Sequence, residues 1–266
     1  MTNFLPLCRI AGAASALLLA SATPAFAGPT IDIDQGRVEG FGQDGVEAFL
    51  GLPFAQPPVG RLRWRAPQKP GRWVGTLVAN RPGPDCMQDK VHNPLGSDHD
   101  NRQSEDCLYL NIWRPAGARA APLPVMVWIH GGAFIMGSGA MPAYAGDQFA
   151  RDGVIVVSIN YRLGRFGTFA VPALIDEQRG QPLANYGLLD QIAALIWVRA
   201  NIAAFGGDPG NVTVFGESAG ASSVNFLMAS PLAKGLFARA ISSSGGASAG
   251  LAPLAERGRQ GLASAT

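Results

Sequence analysis

The sequence predicts an α/β fold in which a mostly parallel central sheet is covered by helices on both faces. Two continuous apolar runs, at residues 125–129 and 154–159, are typical of strands that are buried on both sides. Apolar residues recur at steps of three and four over residues 188–205, which predicts a helix, and the glycine pair at 206–207 predicts its end. Because strand and helix patterns alternate here, the strands are expected to run mostly parallel.

The other predicted elements lie on either side of this pattern. Alternating apolar and polar residues over 31–51, interrupted by glycines, predict short antiparallel strands with tight turns. Residues 53–84 are rich in proline, glycine and arginine, which predicts ordered loop or edge strand with Trp64 and Trp73 as packing anchors. Three further elements are predicted towards the end of the chain: a strand at 211–215, a helix at 219–228 and a strand at 238–242.

Composition and charge narrow the class of ligand. Hydrophobic residues make up 47% of the 266-residue chain, which is enough for a packed core. The 21 basic and 19 acidic residues form no blocks of like charge, so neither nucleic acid nor an anionic membrane is an expected partner. A small neutral or weakly polar ligand fits better, and neither a metal nor a cofactor is expected.

Residues 1–27 have the pattern of an export signal. An apolar run follows Arg9, and a small-residue site ends at Ala27, so cleavage is expected to leave Gly28 first in a secreted or periplasmic protein. The alternative is an uncleaved anchor, but the apolar run at 10–20 is well short of the roughly 20 residues that a spanning helix needs. No stable membrane anchor is therefore expected, and residues 28–266 are expected to belong to one domain.

The number of cysteines in the mature chain is consistent with export. Cys8 would leave with the signal, and the mature chain would keep an even pair, Cys86 and Cys107. A disulfide between them is the simplest interpretation, and two unrelated buried thiols are the alternative.

The motif GESAG at residues 216–220 fits the G-x-S-x-G pattern of a nucleophile elbow. A second match at 246–250 follows a loose stretch of serine and glycine, so we expect it to be a loop. Residues 216–220 instead follow a predicted strand and open a predicted helix, which is the context that an elbow requires. Ser218 is therefore the predicted nucleophile, and the backbone N–H of Ala219, at the helix start, is a predicted oxyanion donor.

A second element supports this interpretation. The sequence His130-Gly131-Gly132 immediately follows the buried strand predicted at 125–129. It matches the H-G-G loop that supplies oxyanion N–H groups in such sites, here from Gly131 and Gly132. The alternative is an ordinary glycine turn, but its place upstream of an elbow favours the catalytic interpretation.

The sequence resembles the type-B carboxylesterase family, which includes cholinesterases and bacterial carboxylesterases. The motifs that carry the resemblance cover nearly the whole mature chain: SEDCLYLN at 104–111, NYRLG at 160–164, NYGLLDQ at 185–191, FGGDP at 205–209 and FGESAG at 215–220. The resemblance implies an α/β-hydrolase fold and hydrolysis of small-molecule carboxylic esters through an acyl-enzyme on Ser218.

The resemblance also implies roles for individual residues outside the elbow. These are a disulfide, two buried ion pairs and two residues that support the nucleophile: Cys86 with Cys107, Arg63 with Glu105, Arg162 with Asp208, and Glu217 and Ser244. For Arg63 and Glu105 the alternative is a pair of solvated surface charges.

The sequence departs from the family after the nucleophile. In this fold the catalytic residues follow the order Ser, Asp or Glu, then His, but no histidine follows His130 and the sole carboxylate after Ser218 is Glu256. The chain is therefore expected to be an N-terminal portion, truncated after the nucleophile-bearing half and inactive as given. His92 and His99 are conceivable substitutes, but nothing places their loop within reach of Ser218.

Two alternatives to a carboxylesterase remain open from the sequence. One is a catalytically dead family member that serves as a binding or adhesion module, and the other is a different hydrolase, such as a peptidase, on the same fold. An intact Ser218 and an intact H-G-G loop favour the enzyme. The segment between Cys86 and Cys107 contains no tryptophan to bind a cation, so choline esters are not expected substrates.

Overall fold

The computed structural model describes residues 28–89, 102–117, 121–246 and 253–263. The predicted signal at 1–27, the two histidines His92 and His99, and residues 247–250 of the second G-x-S-x-G match lie outside the described residues.

The described strands and helices follow one another in a largely alternating order from residue 109 onwards. The strands are β1 (Thr30–Ile33), β2 (Gly36–Glu39), β3 (Phe41–Gln43), β4 (Val46–Pro53), β5 (Thr76–Val78), β6 (Asp85–Cys86), β7 (Gln103–Ser104), β8 (Tyr109–Pro115), β9 (Leu123–Ile129), β10 (Ile155–Ile159), β11 (Gly207–Glu217) and β12 (Arg239–Ser243). The α-helices are α1 (Asp147–Arg151), α2 (Gly164–Thr168), α3 (Pro172–Glu177), α4 (Tyr186–Asn201), α5 (Ala219–Ala229) and α6 (Leu254–Ala263).

A seven-stranded sheet organises the fold, in the order β12-β11-β9-β10-β8-β4-β3. The strands β12, β11, β9 and β10 are mutually parallel, whereas β8, β4 and β3 are joined by antiparallel pairings. The parallel half lies where the sequence predicts alternating strands and helices. Of the short strands predicted at 31–51, β3 and β4 belong to the antiparallel half, whereas β1 and β2 form a separate three-stranded sheet with β5. The α/β fold class is confirmed.

The buried strands and the long helix agree with their sequence patterns. β10 is buried at every position, and β9 alternates buried residues with half-buried ones. α4 begins two residues before the predicted helix, and its last turn continues as the 3₁₀ helix Ile202–Phe205. Gly206 ends it in the left-handed conformation at φ 84°, which suits glycine because no Cβ is present to clash.

Helices cover both faces of the sheet. α4 and α5 pack on the face that presents Val127, Val157 and Val214, and these fully buried side chains form the centre of the core. α1 packs on the other face, against β8 and β10. The predicted anchors are both half-buried: Trp73 packs against the core, and the ring of Trp64 lies 4.9 Å from that of Phe169.

One helical stretch of the described residues, Tyr186–Phe205, has the length and apolar character of a membrane span. Its most hydrophobic window is 56% buried inside the fold, where α4 contacts β11, α2 and α5. A helix that is apolar on most sides is also what the interior of a packed core requires.

Candidate active site

Ser218 lies in a sharp turn between β11 and α5. Its backbone has φ 55° and ψ −118°, a region that a residue with a Cβ rarely adopts. The surrounding chain holds this conformation, because the Ser218 N–H donates to the Ser243 carbonyl at 2.9 Å and the Ser218 carbonyl accepts from the Ser222 N–H at 2.9 Å. This strand-turn-helix geometry is that of a nucleophile elbow.

The two glycines of the motif allow α5 to approach the sheet closely. A Cβ on Gly220 would lie 2.0 Å from the carbonyl oxygen of Ile129 on the neighbouring strand β9. A Cβ on Gly216 would lie 2.6 Å from the Gly220 carbonyl carbon and 2.8 Å from the same Ile129 oxygen. Both contacts are with backbone, so neither could be relieved by rotating a side chain, and glycine is required at both positions.

The predicted oxyanion loop lies directly against Ser218. A Cβ on Gly131 would stand 3.2 Å from the Ser218 Cβ and 2.9 Å from the Glu217 carbonyl oxygen. This proximity follows from the sheet, since β9 and β11 pair in parallel and their carboxyl ends open on the same edge. Sequence positions 131 and 218 are therefore brought together as predicted.

Several backbone N–H groups at this edge have no acceptor within the described part of the chain. They belong to Gly132 and Ala133 in the loop and to Ala219, the first residue of α5. Ala133 has a φ of 54°, unusual for a residue with a Cβ. Ala133 was not predicted from the sequence, because the H-G-G motif is defined by its glycines, whereas a backbone N–H is available from any residue other than proline.

His130 is buried next to the oxyanion loop and is hydrogen-bonded to it. Its ring stacks on Tyr161 with centroids 4.3 Å apart, its Nδ1–H donates to the Gly131 carbonyl at 2.8 Å, and its own carbonyl accepts the Tyr161 hydroxyl at 2.8 Å. Complete burial lowers the pKa of the imidazole to about 4, although the bond to Gly131 acts in the opposite direction. His130 is therefore neutral at pH 7 and is a weak base.

Glu217 and Ser244 flank the nucleophile. Glu217 is exposed, and its Oε2 would lie 2.9 Å from a Cβ on Gly131. Burial, and secondarily the Glu217 charge, raise the pKa of Tyr144 above its ordinary value. Ser244 has a φ of 58° and follows Ser243, whose carbonyl binds the Ser218 N–H. Both residues thus lie at the elbow, and their catalytic roles remain predictions.

Two of the predicted covalent and ionic links are present. Cys86 and Cys107 form a disulfide with a Cα–Cα distance of 4.9 Å, and both residues are buried. Arg63 binds both carboxylate oxygens of Glu105 through Nε and Nη2, with side chains 38% and 22% exposed. This pair is half-buried rather than freely solvated.

The predicted pairing of Arg162 with Asp208 is wrong. Arg162 instead binds Asp190, with Nε 2.8 Å from Oδ2 and Nη2 2.7 Å from Oδ1, and the two side chains are 3% and 0% exposed. The reason is positional: Asp190 lies on the buried side of α4, next to the turn that follows β10. Asp208 lies at the start of β11, where its Oδ1 accepts the Gly210 N–H at 2.8 Å.

No group of three or more histidine, cysteine, aspartate or glutamate residues suited to a metal ion occurs within the described segments. At this edge of the sheet, the turn that carries the Ser218 hydroxyl lies beside a loop with N–H groups that have no acceptor among the described residues, and such N–H groups can stabilise an oxyanion.

Comparison with known proteins identifies the family of the chain. Residues 27–261 match the sequence profile described as the Carboxylesterase family. The chain belongs to the carboxylesterase family. The fumonisin B1 esterase of Sphingopyxis macrogoltabida is 51% identical over 227 residues, which are 85% of this chain and 42% of that protein. The para-nitrobenzyl esterase of Bacillus subtilis is 50% identical over 79% of this chain and 42% of its own length.

Solved structures of carboxylesterases share the fold. A PNB esterase structure superposes with a TM-score of 0.81 at 45% identity, over 88% of this chain and 47% of that one. The carboxylesterase of Geobacillus stearothermophilus gives a TM-score of 0.71 at 45% identity, over 80% and 42% of the respective chains. The chain thus spans less than half the length of these carboxylesterases, and the family predicted from the motifs is confirmed.

Proposed function

We propose that this chain carries the nucleophile and the oxyanion donors of a serine carboxylesterase that acts on small-molecule esters. The observation that carries the proposal is the strained turn at Ser218, held beside a loop whose N–H groups have no acceptor among the described residues. Unpaired N–H groups and an unfavourable φ cost a fold stability. A binding module needs neither feature, so we do not propose the alternative function.

The proposed reaction follows from the chemistry of these groups. The Ser218 oxygen attacks the ester carbonyl carbon, and its proton passes to a base. A tetrahedral intermediate forms whose oxyanion accepts hydrogen bonds from Ala219 and from the loop at 131–133. The bond to the alcohol oxygen then breaks, and the alcohol leaves with a proton. Water hydrolyses the acyl-serine in the same way and releases the acid.

The positive end of α5 adds to the stabilisation of the oxyanion. The helix begins at Ala219, directly after the nucleophile, so its free N–H groups are oriented towards the developing negative charge. Removing a single oxyanion donor from a serine hydrolase typically lowers turnover by about 10²-fold to 10³-fold.

We propose that this chain does not supply the general base of the reaction. A serine hydroxyl is a weak nucleophile at neutral pH without one. His130 has a pKa lowered to about 4, and its Nδ1 is engaged with Gly131. His92 and His99 lie outside the described residues, and no histidine follows Ser218. We therefore propose that the chain by itself is inactive.

We further propose that the protein is exported. The predicted signal at 1–27 supports this, and so does the disulfide between Cys86 and Cys107, because such bonds persist in oxidising compartments. Intact mass of the exported protein tests it: the expected product begins at Gly28 and contains no alkylatable thiol without reduction.

A chimera tests the proposed reaction. Residues 28–246 are joined to the part of the Bacillus subtilis para-nitrobenzyl esterase that follows its matched region. We expect the chimera to hydrolyse p-nitrophenyl acetate, the unextended chain to show no serine-dependent turnover, and Ser218→Ala to abolish the activity of the chimera.

The matched control is Ser222→Ala, one turn further along α5, where the hydroxyl donates to the Gly246 carbonyl at 3.0 Å. This variant of the chimera should keep its activity within a few-fold. A folded chimera that is inactive, or that stays active after Ser218→Ala, would contradict the serine mechanism. Ser218-dependent turnover by the chain alone would contradict the proposal that the base comes from elsewhere.

A further inference from the structure

Gln88, two residues after the first disulfide cysteine, is hydrogen-bonded to Gly137, which follows the oxyanion loop in sequence. The carboxamide of Gln88 makes two hydrogen bonds to the backbone of Gly137: its Nε2 donates to the Gly137 carbonyl at 2.8 Å, and its Oε1 accepts the Gly137 N–H at 2.8 Å. A paired contact of this kind fixes orientation as well as distance, because both the donor and the acceptor must align.

Gly137 is in turn packed against the oxyanion loop. A Cβ at this position would lie 2.4 Å from the His130 Nδ1 and 2.8 Å from the Gly131 carbonyl oxygen, and its φ is 117°. The same His130 Nδ1 binds that Gly131 carbonyl. A shift of Gly137 therefore moves His130 and Gly131, which lie beside Ser218.

Gln88 is itself anchored to the disulfide. Its Nε2 also donates to the Cys86 carbonyl at 3.1 Å, and its backbone N–H donates to the Gln103 Oε1 at 3.3 Å. Cys86 is covalently joined to Cys107, which lies two residues before the core strand β8. One residue before Cys86, Asp85 accepts the Ser138 hydroxyl at 2.6 Å and so adds a second link to the same loop.

We propose that Gln88 is a positioning residue for ester hydrolysis. Anchored beside the Cys86–Cys107 disulfide, it holds the oxyanion loop in register with Ser218. The inference rests on the proposed function. On this proposal the disulfide has a role beyond global stability, since it fixes the backbone position from which the Gln88 carboxamide reaches Gly137. Gln88 acts through Gly137 and does not touch the substrate.

Two measurements test the proposal, the first on the full chain and the second on the chimera, with Gln88→Met as the variant because methionine has a similar length and no amide. The first is hydrogen exchange of the backbone amides at 131–137. The second is the reaction of Ser218 with a fluorophosphonate, measured by intact mass in the chimera because it supplies the base; an O–P bond forms, the P–F bond breaks and the serine proton passes to that base. The phosphonyl oxygen occupies the place of the oxyanion.

We expect Gln88→Met to speed exchange at 131–137 by about 10-fold or more, and to lower the maximal rate of phosphonylation by about 10-fold, since small displacements of reacting groups have large effects on rate. The reagent concentration for half-maximal rate should stay within about twofold, because the loop binds the transition state rather than the ground state. The matched control is Gln68→Met in an exposed turn, where the side chain donates only to the Ala66 carbonyl.

The proposal is overturned if Gln88→Met and Gln68→Met give the same exchange at 131–137 and the same maximal rate. It is also overturned if the loss of rate only follows a lower unfolding temperature. Gln88→Glu, which keeps the acceptor and loses the donor, decides the case if Gln88→Met does not fold. A folded wild-type chimera whose Ser218 never reacts would contradict the proposed function instead, while the exchange result would still decide the role of Gln88.

Discussion

Replacing Asp190 with alanine is expected to lower the free energy of unfolding by about 3–5 kcal/mol, because it leaves a buried guanidinium without its counter-charge. The Asp190 carboxylate accepts three hydrogen bonds from Arg162: from the backbone N–H at 3.0 Å, from Nε at 2.8 Å and from Nη2 at 2.7 Å. In the variant, Nη2 keeps only its bond to the Arg65 carbonyl at 2.8 Å. Nη1 already has no partner among the described residues.

The magnitude depends on burial. Arg162 is 3% exposed and Asp190 is fully buried, so water cannot replace the lost carboxylate. An exposed pair offers the contrast: Arg179 and Asp176 are 81% and 64% exposed, and breaking such a pair changes stability by about 0–1 kcal/mol. For a domain of this size, a loss of 3–5 kcal/mol lowers the melting temperature by about 10 °C.

Urea unfolding followed by tryptophan fluorescence measures the effect, with the melting temperature as a second observable. Asp208→Ala is the matched control, because Asp208 makes only a local bond to the Gly210 N–H and its loss should amount to about 1 kcal/mol. If Asp190→Ala and Asp208→Ala destabilised the chain equally, Arg162 would not depend on Asp190 and the assignment of the ion pair would fail.

Three further predictions concern the site. Ser218→Gly should be about 1 kcal/mol more stable than Ser218→Ala in urea, because glycine tolerates the φ of 55° that alanine keeps strained; equal stability of the two would deny the strain. Gly220→Ala should cost about 1–3 kcal/mol and slow phosphonylation of Ser218 in the chimera, since its Cβ would lie 2.0 Å from the Ile129 oxygen; an unchanged melting temperature would argue against this close approach. Because the pKa of His130 is lowered to about 4 from an ordinary value near 6.5, the unfolded state binds more protons between these values. The folded chain should therefore lose stability as pH falls from 6.5 to 4. His130→Phe should flatten that part of the urea-derived stability profile, and an unaltered slope would contradict the assigned pKa.

The elements that the sequence predicted well are those whose pattern is set by burial. β10 is apolar except at Ser158 and is buried throughout, and α4 has the periodicity of a helix whose sides are mostly covered. The start of β11 was missed because Gly207, Asp208 and Pro209 have no strand character. Gly207 pairs with Leu123 of β9, and Asp208 and Pro209 lie in the irregularity of register that follows, so the extension of the strand is a tertiary effect.

The site was predictable to the extent that it depends on strand order. Two motifs at the carboxyl ends of parallel strands were expected to meet, and Gly131 does lie against Ser218. The partner of Arg162 was not predictable, because it depends on which acidic side chain α4 turns towards the core. Gln88 carries no motif either, and its importance appears only when Gly137 is brought to its carboxamide.

The pairing of β9 with β11 has a consequence for the order of folding. Parallel neighbours need a crossover, and here the intervening chain includes β10 and the helices α1 to α4. The oxyanion loop and Ser218 are far apart in sequence. In a nascent chain the loop therefore has no serine hydroxyl beside it until β11 pairs with β9. Contacts this distant in sequence form slowly. In the chimera, which supplies the base, the reactivity of Ser218 towards a fluorophosphonate is thus a kinetic probe that reports when the centre of the sheet has closed.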